Sequence, residues 1–197
     1  MSSLKWYSII KTKKGVLKMA KTDNPHSLRL YSSIQKHSDK ETAERITNKI
    51  SLSKSADIDK KFIWAESICT DLEKEFNENT IKLIRMDCAC GPEMGKINNL
   101  HKVYQSSDNL DDFIEKANKL NQGFSIKHES NDIYLIYPQC YCSCVKRIDK
   151  PISKIWCYCT LGYTKRMFEH ILERVVDVEL LESVKTGGSK CLIKVTF

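Results

Sequence analysis

The chain has 197 residues, of which 41% are hydrophobic and 29% are charged, and its formal net charge is +7. These values are ordinary for a globular protein and allow one large domain, or a domain with an N-terminal extension. We expect no membrane-spanning helix, because no apolar run approaches the roughly 20 residues that one needs. The first residues lack the pattern of a secretory signal, so we expect a cytoplasmic protein.

The positive charge is concentrated at the N-terminus. Residues 1–38 contain eight Lys or Arg and one acid, Asp23, and the rest of the chain has 24 charges of each sign. This distribution predicts a basic extension over residues 1–38 and a single domain over residues 39–197. The extension could bind nucleic acid or another acidic partner, or it could be a solvated lead-in.

Residues 39–121 show the periodicity of helices. From residue 58 to residue 76 apolar side chains recur every three or four positions, which is typical of an amphipathic helix. Cys69 lies on this apolar stripe and is expected to be a buried hydrophobic residue. Shorter helices are expected over residues 39–50, 79–88, 92–104 and 110–120.

From residue 122 onward the period changes to two, which is typical of strands. Apolar and polar side chains alternate over residues 124–128, 133–137, 176–180 and 191–197. A helix is expected over residues 163–174, between the second and third of these segments. The sequence therefore predicts an α+β fold, with N-terminal helices followed by a mainly antiparallel sheet and one long helix before the final β-hairpin.

Five of the nine cysteines fall within twenty residues and are spaced by two: Cys140, Cys142, Cys144, Cys157 and Cys159. Alternate side chains of a strand point to one face, so we expect an antiparallel hairpin with its turn at residues 146–153. A register with Cys142 opposite Cys157 and Cys140 opposite Cys159 would place four thiols in a square. Their Cβ atoms would lie roughly 4.5–5.5 Å apart across the strands.

A second closely spaced pair, Cys88 and Cys90, precedes Gly91 at an expected break between two helices. Free backbone N–H groups at such a break favour thiolates. If this pair folds over the same face, seven thiols meet, and we predict a metal site formed by Cys88, Cys90, Cys140, Cys142, Cys144, Cys157 and Cys159. Zinc is the expected metal, and an iron–sulfur cluster is the alternative. Cys191 lies on an apolar strand face and is expected in the core.

The C-terminal part of the chain resembles two known families. Residues 180–183 with Gly187, Gly188 and Cys191 are similar to the tail of the 4-vinyl-reductase-type small-molecule-binding domain and of the amino-thiazoline-carboxylate-hydrolase-like family. The wider cysteine pattern resembles a bacterial and archaeal cysteine-rich family of uncharacterised function. The resemblance implies a small molecule bound beside a metal site at Cys140, Cys142, Cys157 and Cys159.

The first hypothesis for the function is a metal-binding domain that binds or senses a small molecule. The long helix is expected to begin near the thiols, where its partial positive charge would stabilise thiolates or a bound anion. Tyr163, Lys165 and Arg166 are the predicted cofactor-binding residues. A homodimer is compatible with this hypothesis.

The second hypothesis is a thiol-dependent enzyme, either a hydrolase or a thiol-redox protein. Cys90, or Cys157 with Cys159, would be the nucleophile, and His170 or His101 would be the base. A third hypothesis treats the cysteines as packing residues only. No Walker-type loop, GxGxxG, HExxH or GxSxG motif occurs, so nucleotide hydrolysis and dinucleotide-dependent hydride transfer are not supported.

Overall fold

The computed structural model describes residues 23–91, 93–120 and 122–197. Within these residues the chain forms seven α-helices and one four-stranded antiparallel sheet, which confirms the predicted α+β fold. None of the described helices is both long enough and apolar enough to cross a membrane. The elements in chain order are α1 (Pro25–His37), α2 (Lys40–Asn48), α3 (Ile58–Glu75), α4 (Glu78–Asp87), α5 (Met94–Gln105), α6 (Leu110–Lys119), β1 (Ser125–Glu129), β2 (Asp132–Tyr137), α7 (Tyr158–Leu172), β3 (Asp177–Glu182) and β4 (Cys191–Thr196).

The strands are ordered β1-β2-β4-β3 across the sheet. Ile133 of β2 pairs with Val195 of β4, and Val195 pairs with Val178 of β3. All three side chains are buried. Because alternate residues of a strand face the same side, Leu135 and Ile193 are buried on that face as well. The predicted period of two therefore marks the face of the sheet that packs against the helices.

The same kind of side-chain cap fixes the start of four helices. In each case the side chain accepts a hydrogen bond from the backbone N–H three residues later, which satisfies one of the free donors of the first turn. The capping residues are Asp39, Asp57, Asn77 and Asn109. The predicted apolar stripe of α3 is confirmed, because its middle positions are buried: Phe62, Ala65, Cys69 and Leu72.

Helix α1 lies inside the stretch that the charge distribution assigned to an extension. Its residues Leu30, Tyr31 and Ile34 are buried, and the helix packs on α2 and α4. Residues 25–37 therefore contribute to the core of the domain. Residues 1–22 lie outside the described residues, so binding of nucleic acid or an acidic partner by the basic segment stays a prediction.

The predicted cysteine hairpin is wrong. The chain leaves the sheet after Tyr137 and forms a turn in which the N–H groups of Val145 and Lys146 donate to the carbonyl oxygen of Cys142. Adjacent Cys144 and Val145 are both fully buried, which a strand with one buried face does not allow.

The second cysteine pair lies in helical structure. Cys157 ends the 3-10 helix Lys154–Cys157, and Cys159 lies in the first turn of α7. Helix α7 begins five residues earlier than the predicted residue 163. The physical reason is that buried residues recur at helical spacing from residue 155 onward: Ile155, Tyr158, Leu161, Thr164 and Phe168.

Helices α4 and α7 approach each other closely at Gly162. A Cβ atom added there would lie 2.0 Å from the carbonyl oxygen of Met86, near the C-terminal end of α4. Glycine therefore lets the two backbones come together. Because α4 leads directly to Cys88 and α7 begins at the other cysteine pair, this contact holds two of the thiol-bearing segments side by side.

Candidate functional site

Six cysteines from four separate segments line one cavity of about 400 Å³, which we call the thiol cavity. Cys90 follows α4, two cysteines lie in the loop after β2, two lie at the start of α7, and Cys191 begins β4. The six are Cys90, Cys140, Cys142, Cys157, Cys159 and Cys191. The structure thus brings together five of the seven cysteines predicted as metal ligands and adds one.

The rest of the cavity wall is mainly apolar and aromatic. Tyr137 contacts Phe124 edge-on with ring centroids 5.8 Å apart, and it contacts Tyr141 at 6.0 Å. Trp156 and Tyr163 also line the cavity. A volume of roughly 300–1,000 Å³ and an apolar wall with a few polar groups are typical of small-molecule sites. Tyr163, predicted to bind a cofactor, is therefore in a position to do so.

The cavity thiols lie close enough together for their charges to interact. Cys159 is close enough to Cys142, Cys90 and Cys88 for their charges to act on it. Cys157 interacts in the same way with Cys159 first, and then with Cys191 and Cys140. Cys90, Cys142 and Cys159, which all border the cavity, are called the first thiol group. Cys140, Cys157 and Cys191 are called the second.

Arg85 is buried beside the first thiol group. Its guanidinium lies 4.1 Å from the ring centroid of Trp156, and Nη2 donates to the Trp156 carbonyl oxygen at 2.9 Å. Its Nε is buried without a hydrogen-bond partner, and no described carboxylate pairs with it. The groups whose negative charge would stabilise the guanidinium are thiols, first Cys159 and then Cys88. A buried cation surrounded by sulfur indicates a place where thiolates can exist.

Sequence reasoning missed Arg85, although the sequence contained a signal. The residue lies on the buried face of α4 next to Ile84, where an apolar side chain is the rule. A charged residue on the apolar face of an amphipathic helix indicates a buried partner.

Cys142 differs from its buried neighbours. A hydrogen bond from the Cys144 thiol lowers the pKa of Cys142 to about 6, burial opposes this shift, and Trp156 Nε1–H, which donates at 3.4 Å, adds to it. Cys144 itself is fully buried, and its pKa is raised because it supplies this hydrogen bond. Cys144 therefore supports Cys142 from behind the cavity wall.

The two cysteines at the start of α7 have raised pKa values, in contrast to Cys142. Burial raises the pKa of Cys157 to about 12, even though its sulfur lies 3.2 Å from Ser183 Oγ. Burial also raises the pKa of Cys159 to about 12, and the charge of Arg85 acts against that rise. The positive end of the helix was expected to favour thiolates here, but the cost of burying a charged sulfur outweighs that effect.

The remaining cysteines to be placed are Cys191, Cys88 and Cys69. Cys191 was expected in the core; instead it is only partly buried and lines the cavity, because it is the first residue of β4 and pairs with Tyr137 at the end of the sheet. Cys88 and Cys69 are buried and do not line the cavity, and for Cys69 this confirms the expected burial. Burial raises the pKa of the Cys88 thiol.

The histidines predicted as bases, and the lysine and arginine predicted to bind a cofactor, do not line the thiol cavity. Among the described residues no histidine lines the cavity. His170 contacts Asn98 Oδ1 at 3.0 Å, and its ring lies 5.1 Å from that of His101. Lys165 donates to the carbonyl oxygen of Val176 and pairs with an acid of its own helix. Arg166 is exposed on α7, near Cys90 but outside the cavity wall.

No three His, Cys, Asp or Glu side chains of the described ranges are arranged to hold a metal ion. The thiols border the cavity from several sides and do not converge on one point. Zinc binding and iron–sulfur binding therefore stay predictions.

A polar chain links two of the cysteine segments. Arg29 Nη2 donates to His26 Nδ1 at 3.0 Å, and because arginine is only a donor, Nδ1 is unprotonated and Nε2–H donates to Ser143 Oγ at 3.2 Å. Arg29 also lies 3.8 Å from the sulfur of Cys90. Burial and the charge of Arg29 lower the pKa of His26 to about 4, so the ring is neutral at physiological pH.

This histidine should make stability depend on pH. In the unfolded chain His26 takes up a proton below about 6.5, whereas in the folded protein it does so only near 4, so stability falls as the pH drops between these values. Between pH 7 and pH 5 the wild type should lose about 1 kcal/mol more unfolding free energy than His26→Gln, after allowance for solvent screening. Urea denaturation at both pH values measures this, and equal losses in the two proteins would contradict it.

The fold and the site together define an α+β protein with a largely apolar cavity lined by cysteines. The chain matches a family of unknown function (DUF6144) over residues 19–197 and belongs to that family. This agrees with the expected relation to an uncharacterised family. No curated protein matches the chain. The resemblance to the 4-vinyl-reductase-type and amino-thiazoline-carboxylate-hydrolase-like families stays a prediction.

Proposed function

We propose that this protein binds zinc through cavity thiolates and holds a small molecule in the cavity beside the metal. The observation that carries the proposal is that six cysteines from four segments line a single apolar cavity. A small apolar side chain would serve packing as well as cysteine does, so a thiol-rich wall argues for sulfur chemistry. Zinc prefers soft thiolate ligands and is the metal most consistent with this wall.

The first thiol group supplies the ligands in this proposal. Cys90, Cys142 and Cys159 border the cavity, and their charges interact. In this proposal each sulfur turns about its one side-chain torsion to reach the ion. Three protein ligands would leave the fourth tetrahedral position of zinc free for a donor atom of the small molecule.

Charge balance supports this ligand set. Three thiolates carry three negative charges against the two positive charges of zinc, which leaves one negative charge in a buried place. Arg85 contributes the compensating positive charge from behind Trp156. The absence of a described carboxylate near Arg85 then has a physical reason, because the metal site is its partner.

The experiment compares cysteines of the two thiol groups. Anaerobically purified wild-type protein should contain a single zinc ion per chain by elemental analysis. Cys142→Ser and Cys159→Ser should each remove most of it, because serine is a poor zinc ligand. The matched control Cys191→Ser changes a cysteine of the same cavity wall that belongs to the second group, and it should retain the metal. Equal zinc loss in all three variants, or a metal-free wild type, would refute the proposal.

The second candidate is a thiol-dependent enzyme. Cys142 accepts hydrogen bonds from Trp156 and Cys144 and borders the cavity, so in this alternative it replaces Cys90, Cys157 and Cys159 as the nucleophile. A metal-free protein in which iodoacetamide modifies Cys142 first would favour the enzyme. A coloured, iron-containing protein would instead favour the iron–sulfur alternative.

A further inference from the structure

A second cavity, of about 460 Å³, borders the thiol cavity and shares Gln139 and Cys140 with it. We call it the basic pocket, because four cations and a single acid, Asp149, line it and leave a net charge of +3. The cations are Lys146, Arg147, Lys150 and Lys185. None of them forms an ion pair with a described residue, whereas most exposed lysines of α2, α5 and α6 have such partners.

Lys185 is the buried member of the pocket, with only 7% of its surface exposed. Its backbone is fixed on both sides: Ser183 Oγ accepts from its N–H at 3.1 Å, and its carbonyl oxygen accepts from the N–H of Ile152 at 2.9 Å. Its ammonium donates to the carbonyl oxygen of Ile148. A carbonyl oxygen is neutral and does not compensate the positive charge, whereas a buried ammonium normally has an anionic partner.

The other three cations are exposed and lie on the loop between Cys144 and Pro151. Arg147 has a planar set of donors that can bind two oxygens of one phosphate, and the lysines add mobile positive charges. One fixed ammonium at the back of a concave site and three mobile cations at its rim suit a compact dianion. A pocket of this volume can enclose a small anion, whereas a duplex nucleic acid could contact only its rim.

We propose that the basic pocket binds the phosphate group of a small phosphorylated molecule. Because Gln139 and Cys140 form part of both walls, such a molecule can place an apolar part in the thiol cavity while its phosphate occupies the basic pocket. This last step rests on the proposed function, whereas phosphate binding itself does not.

Calorimetric titration of the full-length protein with inorganic phosphate, at constant ionic strength with chloride as the replaced anion, tests the proposal. The wild type should bind phosphate, and the double variant Arg147→Gln/Lys150→Gln should bind it at least about tenfold more weakly, because two charges at the rim are lost. The control Lys127→Gln removes an exposed lysine of β1 outside both cavities and should bind like the wild type.

The variant Cys142→Ser separates this inference from the zinc proposal. It removes a proposed zinc ligand outside the basic pocket and should bind phosphate as the wild type does. Absence of phosphate binding in the wild type would overturn the inference. So would equal weakening in Lys127→Gln and the double variant, since this would indicate unspecific attraction to surface charge.

Discussion

Replacing Gly162 by alanine is expected to lower the free energy of unfolding by about 3 kcal/mol or more, the upper range for an overpacked core. The added methyl group would lie 2.0 Å from the Met86 carbonyl oxygen and 2.8 Å from Met86 Cα. These are backbone atoms of α4, and that carbonyl also accepts a hydrogen bond from Ala89 N–H at 3.2 Å. The clash can therefore be relieved only by moving the two helices apart.

The substitution of Gly162 should also disturb the thiol cavity. Met86 and Ala89 belong to the turn that carries Cys88 and Cys90, so a displaced α4 shifts these thiols away from Cys159 on α7. The matched control is Gly95→Ala in α5, where a Cβ would meet nothing within 4 Å. Since alanine favours helix over glycine, that variant should be neutral or up to about 1 kcal/mol more stable. Urea denaturation measures both, and similar stabilities of the two variants would show that the α4–α7 contact is less tight than described.

Replacing Arg85 by methionine should weaken zinc binding by about 10- to 100-fold, the effect expected when a residue that supports metal ligands is lost. Methionine keeps much of the apolar contact with Trp156 but removes the buried positive charge next to Cys159 and Cys88. The thiolates would then be held without compensation in a desolvated place, and metal binding would become less favourable. Arg85→Lys restores the charge and should recover part of the affinity.

The control for Arg85 is an arginine in a similar contact far from the thiols. Arg174 lies with its guanidinium 3.7 Å from the ring centroid of Phe197, and Arg174→Met should leave zinc affinity unchanged. Competition with a chromophoric chelator measures the affinities, and circular dichroism verifies that each variant is folded. Equal affinities of the wild type and Arg85→Met would mean that Arg85 has only a structural role, in supporting Trp156.

Local periodicity predicted most of the elements of this fold. The stripe through Phe62 and Leu72 and the alternation around Ile133 both report burial on one face, and burial is a local property of an amphipathic element. A spacing of two between cysteines is weaker evidence, because loops and helix starts accommodate it as well as strands do. The spacing of three between the buried residues Ile155 and Tyr158 indicated a helix instead of a strand.

The site was less predictable, because it depends on contacts between distant segments. The spacing of the cysteines predicted that thiols of separate segments meet, but not that Cys191 joins them, since it was expected in the core. The pKa of Cys142 depends on Cys144 and Trp156, whose positions only the folded chain defines. Likewise, the excess of basic residues in the first 38 positions led to the prediction of an extension there. The helix α1 was not predicted, although its Leu30 and Ile34 belong to the core.

In the proposed site, three sulfur atoms of one cavity wall hold a zinc ion and leave a position open toward the cavity. X-ray absorption at the zinc edge, on protein purified without oxygen, can detect this arrangement. We predict three sulfur neighbours at about 2.3 Å and one lighter atom, which changes when a small molecule binds. A shell of nitrogen and oxygen atoms only, or protein that takes up no zinc while all its thiols are reduced, would contradict the claim.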